Sequence, residues 1–159
     1  MDRISLSQMP MAKPPTPIVR DAEALLRRGI EALERERHEE AVVLLRQAVS
    51  LDEHSGAGYL ALGIALMRSM RMNEAMAALE RAVELAPNAF FPRLRMAELY
   101  MRVGVPVRAR EEMARAMELS RTPEQRQMVR ALMAVDAQRA PRRIWRPDFS
   151  RLIRRKPEK

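Results

Sequence analysis

The sequence contains no cysteine among its 159 residues. This absence excludes disulfide bonds, thiolate nucleophiles, cysteine-ligated zinc and a lipid anchor attached to cysteine. Aromatic residues make up only 4% of the chain, and most of its apolar residues are Ala, Leu, Met and Val. These residues mostly favour helices, and no run alternates β-branched and polar residues in the way of a half-buried strand. The composition therefore predicts a nearly all-α protein.

Long apolar runs are absent as well. No stretch approaches the 18 uncharged apolar residues that a membrane-spanning helix requires. The first residues, MDRISLSQMPMAKPPTP, lack the apolar core of a secretory signal. We therefore expect a soluble cytoplasmic protein, and a position at the periphery of a membrane-bound assembly is the alternative.

Residue types that carry out chemistry are scarce. The two histidines, His38 and His54, are predicted to lie in separate turns, and no histidine lies one helical turn from either. Adjacent acidic pairs such as Glu39 and Glu40 point apart on a helix, so they cannot share a site. Phosphate-binding loops and dinucleotide fingerprints are absent. The sequence predicts no enzyme activity, no cofactor and no metal site.

Charge and proline divide the chain into three parts. Residues 22–121 carry 15 arginines and 15 acidic residues, whereas residues 140–159 carry eight basic residues and two acidic ones. Residues 1–19 contain four prolines, at positions 10, 14, 15 and 17. We expect an extended N-terminal arm over 1–19, a neutral helical domain over 20–139 and a basic tail over 140–159.

Small residues recur along the domain with a period of 34. The first set lies inside apparent helices and comprises Gly29, Gly63, Ala97 and Ala131. Alanines follow at fixed distances from the first three of these positions: Ala41, Ala75 and Ala109, then Ala48, Ala82 and Ala116. Between these two sets of alanines lie the larger apolar residues Leu45, Leu79 and Met113. The constant spacing indicates three copies of one structural unit.

The period and its pattern resemble the tetratricopeptide repeat (TPR) family. The resemblance covers residues 22–121 and is clearest in the middle unit, where Tyr59, Leu62, Gly63 and Leu66 are followed by Ala75, Leu79, Ala82 and Pro87. It implies a right-handed α-solenoid of three helical hairpins, at about 22–55, 56–89 and 90–121. Arg28 and Arg93 depart from the pattern, since both replace apolar residues.

A seventh helix is predicted over 122–138. Thr122 is placed as its N-cap, Pro123 as its first residue and Gln125 at the third helical position, which is a capping-box arrangement. Because Ala131 keeps the phase of the repeat, we expect this helix to cover the last hairpin as a solvating cap.

Gly63 costs about 1 kcal/mol of helix propensity relative to alanine. We expect it to face Ala75 on the second helix of its hairpin. The close approach of the two backbones would then recover the cost through burial and dispersion.

The resemblance also implies a concave groove, lined by the first helix of each hairpin, that binds peptides. Carried over by phase, the groove residues are Leu26, Arg27, Ile30, Leu33, Leu60, Ile64, Met67, Arg68, Phe91, Leu94, Arg95, Met101 and Arg102. This lining is apolar with basic points, so we expect it to hold an extended or helical protein segment through apolar side chains. Packing against the cap helix or the arm is the alternative at each position.

One subtype of the family binds acidic C-termini of heat-shock chaperones through a clamp of Lys, Asn, Asn, Lys and Arg. The matching positions here are Leu26, Ile30, Ala61, Phe91 and Arg95. Only Arg95 agrees, so the resemblance argues against chaperone binding of this kind.

The tail combines an apolar helical stripe with basic residues. The residues predicted to dock are Trp145, Phe149, Leu152, Ile153, Arg154 and Arg155. Four interpretations stay open: folding back onto the repeats, docking onto a partner protein, lying on an anionic membrane surface, and binding nucleic acid.

Together these patterns predict a non-catalytic protein-interaction adaptor whose groove binds a peptide or helix segment and whose tail docks onto a larger assembly. One alternative is a small bacterial secretion-type chaperone, which the basic tail fits poorly because such chaperones tend to be acidic. The other is a nucleic-acid-associated or ribosome-associated factor that acts through the tail.

Overall fold

The computed structural model describes residues 17–139 and folds them into seven helices without a strand. They are α1 (Pro17–Glu34), α2 (His38–Leu51), α3 (Gly56–Arg68), α4 (Met72–Leu85), α5 (Phe90–Arg102), α6 (Pro106–Leu119) and α7 (Pro123–Arg139). The predicted all-α solenoid is confirmed. Helix α1 begins at Pro17, so the last three residues assigned to the arm are helical, and proline is well suited to a first helical turn.

The helices pair as consecutive hairpins. Helix α1 packs on α2, α3 on α4 and α5 on α6, and each hairpin packs on the next through α2 with α3 and α4 with α5. Helix α7 packs on α6. We call α1, α3, α5 and α7 the first helices and α2, α4 and α6 the second helices.

The three hairpin turns repeat one backbone conformation. Glu36, Met70 and Gly104 are 34 residues apart and have φ angles of 58°, 61° and 78°. In each turn the next residue donates its N–H to a carbonyl five residues earlier, as in Arg71 to Leu66 at 2.9 Å. Only the third turn uses glycine, the residue that adopts this left-handed region without strain. The three turns therefore keep the same backbone conformation although the residue type at this position differs.

The gap that Gly63 creates is filled by a leucine of the second helix. A Cβ atom at Gly63 would lie 2.6 Å from Leu79 Cδ2 and 2.7 Å from its Cγ, and Gly29 meets Leu45 at 2.6 Å in the same way. The expectation that Ala75 faces Gly63 is thus corrected, since Leu79 lies closest. The absent methyl group lets the branched leucine enter the interface and become fully buried.

The third hairpin solves the same packing problem with a different pair. Ala97 and Met113 occupy the positions of Gly63 and Leu79, and both are fully buried. Methionine is unbranched at Cγ, so it can pass an alanine methyl group that a leucine at this distance could not. Small first-helix residues and large second-helix residues therefore match pairwise along the solenoid.

Arg93, an exception to the apolar pattern, has a partner on α6. Its Nη1 lies 3.1 Å from Glu112 Oε2, and the two side chains are only 18% and 10% exposed. Arg115 Nη1 donates to the other carboxylate oxygen of Glu112 at 2.9 Å. In the first hairpin the equivalent positions hold Leu25 and Leu44. A largely buried ion pair thus replaces an apolar contact in the third hairpin.

An exposed ion-pair network joins α2 to α4. Glu74 accepts hydrogen bonds from Arg71 at 2.7 and 2.9 Å and also contacts Arg46, while Arg71 lies 3.7 Å from Glu39. The hydrogen bond from Arg71 holds the pKa of Glu74 below its usual value. The stabilisation is therefore present above the ordinary pKa of glutamate and is lost as the pH falls through the lowered one. Exposure keeps this contribution small.

Candidate functional site

The first helices form one continuous surface, which we call the first-helix surface. Helix α1 contacts α3, α3 contacts α5, and α5 contacts α7. Residues 34 apart therefore line up in three rows across them. The rows are Leu26, Leu60, Leu94 and Met128; Ile30, Ile64, Glu98 and Leu132; and Leu33, Met67, Met101 and Val135.

Helix α7 contributes a fourth column to this surface. A cleft of about 390 Å³ separates α5 from α7, and its lining comprises Leu94, Arg95, Glu98, Met128, Ala131, Leu132 and Val135. Met128 and Val135 are 46% and 41% exposed. Sequence reasoning missed these residues because α7 was interpreted only as a cap. The phase of Ala131 was the signal that could have found them, since it places the whole helix in register with α5.

Helix α7 also has the solvated side that a cap requires. Gln127 and Arg130 are exposed, whereas Arg93 and Met96, the α5 residues 34 positions earlier, are half-buried and buried. At the start of the helix, Thr122 accepts a hydrogen bond from the N–H of Gln125 at 3.3 Å, and Gln125 accepts one from the N–H of Arg121. The predicted capping helix is therefore present, and it closes the repeats while extending the first-helix surface.

The thirteen predicted groove residues differ widely in exposure. The exposed residues are Arg27, Ile30, Arg68, Phe91 and Arg102, and the half-buried ones are Leu26, Leu33, Leu60, Ile64, Arg95 and Met101. Met67 and Leu94 are only 4% and 3% exposed and belong to the core. The prediction is corrected for these two residues, which offer a partner almost no surface.

Arg95, the one residue that matches the chaperone clamp, already has a carboxylate partner. Its Nη1 donates to both oxygens of Glu98, at 2.9 and 2.7 Å, and the side chains are 33% and 28% exposed. This pair lies in the cleft between α5 and α7. Arg95 therefore meets a peptide carboxylate only in competition with Glu98.

Exposed arginines border the apolar rows. Arg27, Arg68 and Arg102 are exposed and form no ion pair with any residue from 17 to 139. Exposed apolar side chains bordered by cations are suited to an apolar segment that also carries carboxylates.

Other kinds of site find little support in the described residues. Within 17–139, no group of three His, Cys, Asp or Glu side chains could hold a metal ion. None of the seven helices has the length and apolar character needed to cross a membrane. The predicted tail-docking residues, Trp145, Phe149, Leu152, Ile153, Arg154 and Arg155, lie outside the described residues.

The sequence comparison identifies a family for the centre of the chain. The model of the tetratricopeptide repeat family matches residues 32–91, which run from the end of α1 to the start of α5. No curated protein sequence matches the chain.

Solved structures share the fold at low sequence identity. The TPR domain of Arabidopsis OM64 is 14% identical with a TM-score of 0.71, and the match covers 77% of this chain and 98% of that chain. The TPR2B domain of yeast Sti1, solved as a pHsp70 complex, is 21% identical with a TM-score of 0.71, over 76% and 98%. The type III secretion translocator chaperone SycD of Yersinia enterocolitica is 17% identical with a TM-score of 0.69, over 76% and 94%.

Proposed function

Because this chain is a tetratricopeptide repeat protein, we propose that it is a non-catalytic adaptor that binds a peptide or helix segment of another protein on its first-helix surface. The observation that carries the proposal is the row pattern on that surface. Ile30 on α1, Phe91 on α5, and Met128 and Val135 on α7 are each 41% to 46% exposed, and Leu60 and Ile64 on α3 between them are half-buried. A partner that covers them gains about 25 cal/mol for each Å² of apolar surface removed from water.

The chemistry of the surface also defines the segment that it would accept. Apart from Glu98, its rows are apolar, so the segment should present apolar side chains at a spacing that matches the first helices. Arg27, Arg68 and Arg102 favour carboxylates at the edges of the segment. The clamp residues are replaced by Leu26, Ile30, Ala61 and Phe91, so a C-terminal carboxylate is not the feature that this surface reads.

A peptide selection with surface variants tests the proposal. A random library of 16-residue peptides is selected on the wild-type protein, and the enriched peptides are titrated against Ile30→Glu and Met128→Glu. Both positions are exposed, so the fold should tolerate the change, and the carboxylate should weaken binding by about tenfold or more, because it would be buried against apolar side chains. Val43→Glu, at a 56% exposed position of α2, is the matched control and should bind like the wild type.

Two results would contradict the proposal. One is a selection that enriches no peptide. The other is a set of peptides that bind the wild type, Ile30→Glu and Met128→Glu equally well. Loss of binding in Ile30→Glu alone would show that the segment occupies the α1–α3 part of the surface and does not reach α7.

A secretion-type chaperone is the second candidate. The aliphatic lining favours it, and SycD has been solved in complex with a peptide of the translocator YopD. The same selection separates the two roles. Enriched peptides that aggregate alone and stay soluble with equimolar protein would favour a chaperone, whereas peptides that are soluble on their own would favour an adaptor.

We further propose that the basic tail attaches the protein to a larger assembly through residues from Phe149 to Arg155. A nucleic-acid partner is the alternative, and the salt dependence of binding distinguishes it. Affinity for a single-stranded RNA should fall steeply between low and physiological salt if several phosphates are contacted. Binding to a protein through Phe149, Leu152 and Ile153 should change little.

A further inference from the structure

The turn between α5 and α6 is unusually apolar and exposed. Val103, Val105 and Val107, which we call the valine turn, are 40%, 40% and 64% exposed. The equivalent residues of the other two turns are Arg35, Arg37 and Glu39, and Ser69, Arg71 and Asn73. All three turns share one backbone conformation, so the turn geometry itself does not require valine. The second turn exposes one large apolar side chain, Met70, whereas the third exposes three valines together, and such a group indicates that something covers them.

A cleft beside the valine turn marks where the chain continues. It has a volume of about 240 Å³ and is lined by Met101, Gly104, Pro106, Asp136 and Arg139. Arg139 is the last residue of α7, so the tail begins at the edge of this cleft. The cleft therefore lies within reach of whatever apolar residues come first in the tail.

Those residues are Ile144 and Trp145. They follow Arg139 by five and six positions, and an extended chain of that length spans about 17–20 Å. Pro141 disfavours a helical conformation at the residue before it, which agrees with the end of α7 at Arg139.

We propose that Ile144 and Trp145 pack in cis into the cleft between the valine turn and the C-terminal end of α7. The contact covers the exposed valines. It also covers the end of the third hairpin, because within residues 17–139 helix α7 is not followed by a second helix of its own. It anchors the start of the tail and leaves Phe149 to Arg155 for a partner. The inference is independent of what the first-helix surface binds.

Fluorescence of the full chain tests this directly, because Trp145 is its single tryptophan. The emission of the native protein should be blue-shifted relative to the urea-denatured protein and protected from acrylamide. The double variant Val105→Arg/Val107→Asn introduces the residue types of the second turn. It should shift the emission to that of the denatured chain while the helical circular dichroism stays unchanged.

Control variants separate a specific contact from a general loss of structure. Val43→Arg changes a valine on α2 whose exposed fraction, 56%, lies between those of Val105 and Val107, and it should leave the emission blue-shifted. Val107→Asn alone, at the most exposed position of the turn, should give a partial shift without any loss of helicity. Truncation after Arg139 should lower the melting temperature.

Three results would overturn the proposal. The first is a native spectrum that already matches the denatured one. The second is a blue-shifted spectrum that the valine-turn variants do not change. The third is a blue shift that disappears on dilution, which would assign the cover to a second copy of the chain.

Discussion

Replacing Gly63 with leucine is expected to lower the free energy of unfolding by more than about 2 kcal/mol. A Cβ atom at this position would lie 2.6 Å from a branched and fully buried side chain, Leu79. Neither helix can yield without opening the hairpin, so the leucine must separate α3 from α4. The gain in helix propensity over glycine, about 1 kcal/mol, is too small to compensate. Urea denaturation followed by circular dichroism measures the change.

A matched glycine and a rescue variant make this test specific. Gly56 begins the same helix, and a Cβ atom there would meet nothing closer than 3.5 Å, so Gly56→Ala should be neutral or slightly stabilising. Gly63→Ala should destabilise, and adding Leu79→Met should recover most of the loss by reproducing the Ala97–Met113 pair. Equal stability of the wild type and Gly63→Leu would refute this account of the glycine.

Removal of the Glu112 carboxylate is expected to have a larger effect. Arg93 is 18% exposed and lies 3.1 Å from Glu112, so Glu112→Ala leaves a mostly buried guanidinium without its main partner. Breaking such a pair on one side costs about 3 kcal/mol or more. Thermal or urea unfolding of the variant measures the loss, and Glu111→Ala, one residue away and exposed, is the control that should change little.

The double variant Arg93→Leu/Glu112→Leu shows what the charges themselves contribute. It introduces the pair that the first hairpin already uses, Leu25 and Leu44. Buried ion pairs can often be replaced by apolar residues without loss of stability. The free energy of unfolding of the double variant should therefore be within about 1 kcal/mol of the wild-type value or higher than it. A double variant as unstable as Glu112→Ala would show that the site cannot accommodate an apolar pair.

The period of 34 was enough to predict the hairpins and the capping helix, because each landmark acts locally within its own repeat. The structure shows the same period in a feature that was not predicted, namely the left-handed backbone conformation at residues 36, 70 and 104. The partner of Gly63 was predicted wrongly because two small residues suggest a close approach. In the structure a small residue instead receives a large one. Which residue of α4 lies opposite Gly63 depends on the relative rotation of the two helices.

The candidate site, too, could be predicted only in part from the sequence. The exposed residues that α1, α3 and α5 contribute to the first-helix surface follow from the phase of the repeat, but the burial of Met67 and Leu94 depends on how far neighbouring hairpins rotate over one another. The partner of Arg93 lies 19 residues away, where no helical spacing points to it. Helix α7 was not predicted to be part of the surface, because a role as a cap already accounted for its sequence.

Methyl NMR tests most directly whether the first-helix surface is the binding site. The protein, labelled at its Ile, Met and Val methyl groups, is titrated with the selected peptide of highest affinity. We predict shifts at Ile30, Ile64 and Met128 and unchanged signals at Val43, which lies on a second helix. Shifts at Val43 with none at Ile30, Ile64 or Met128 would place the partner elsewhere and contradict the account.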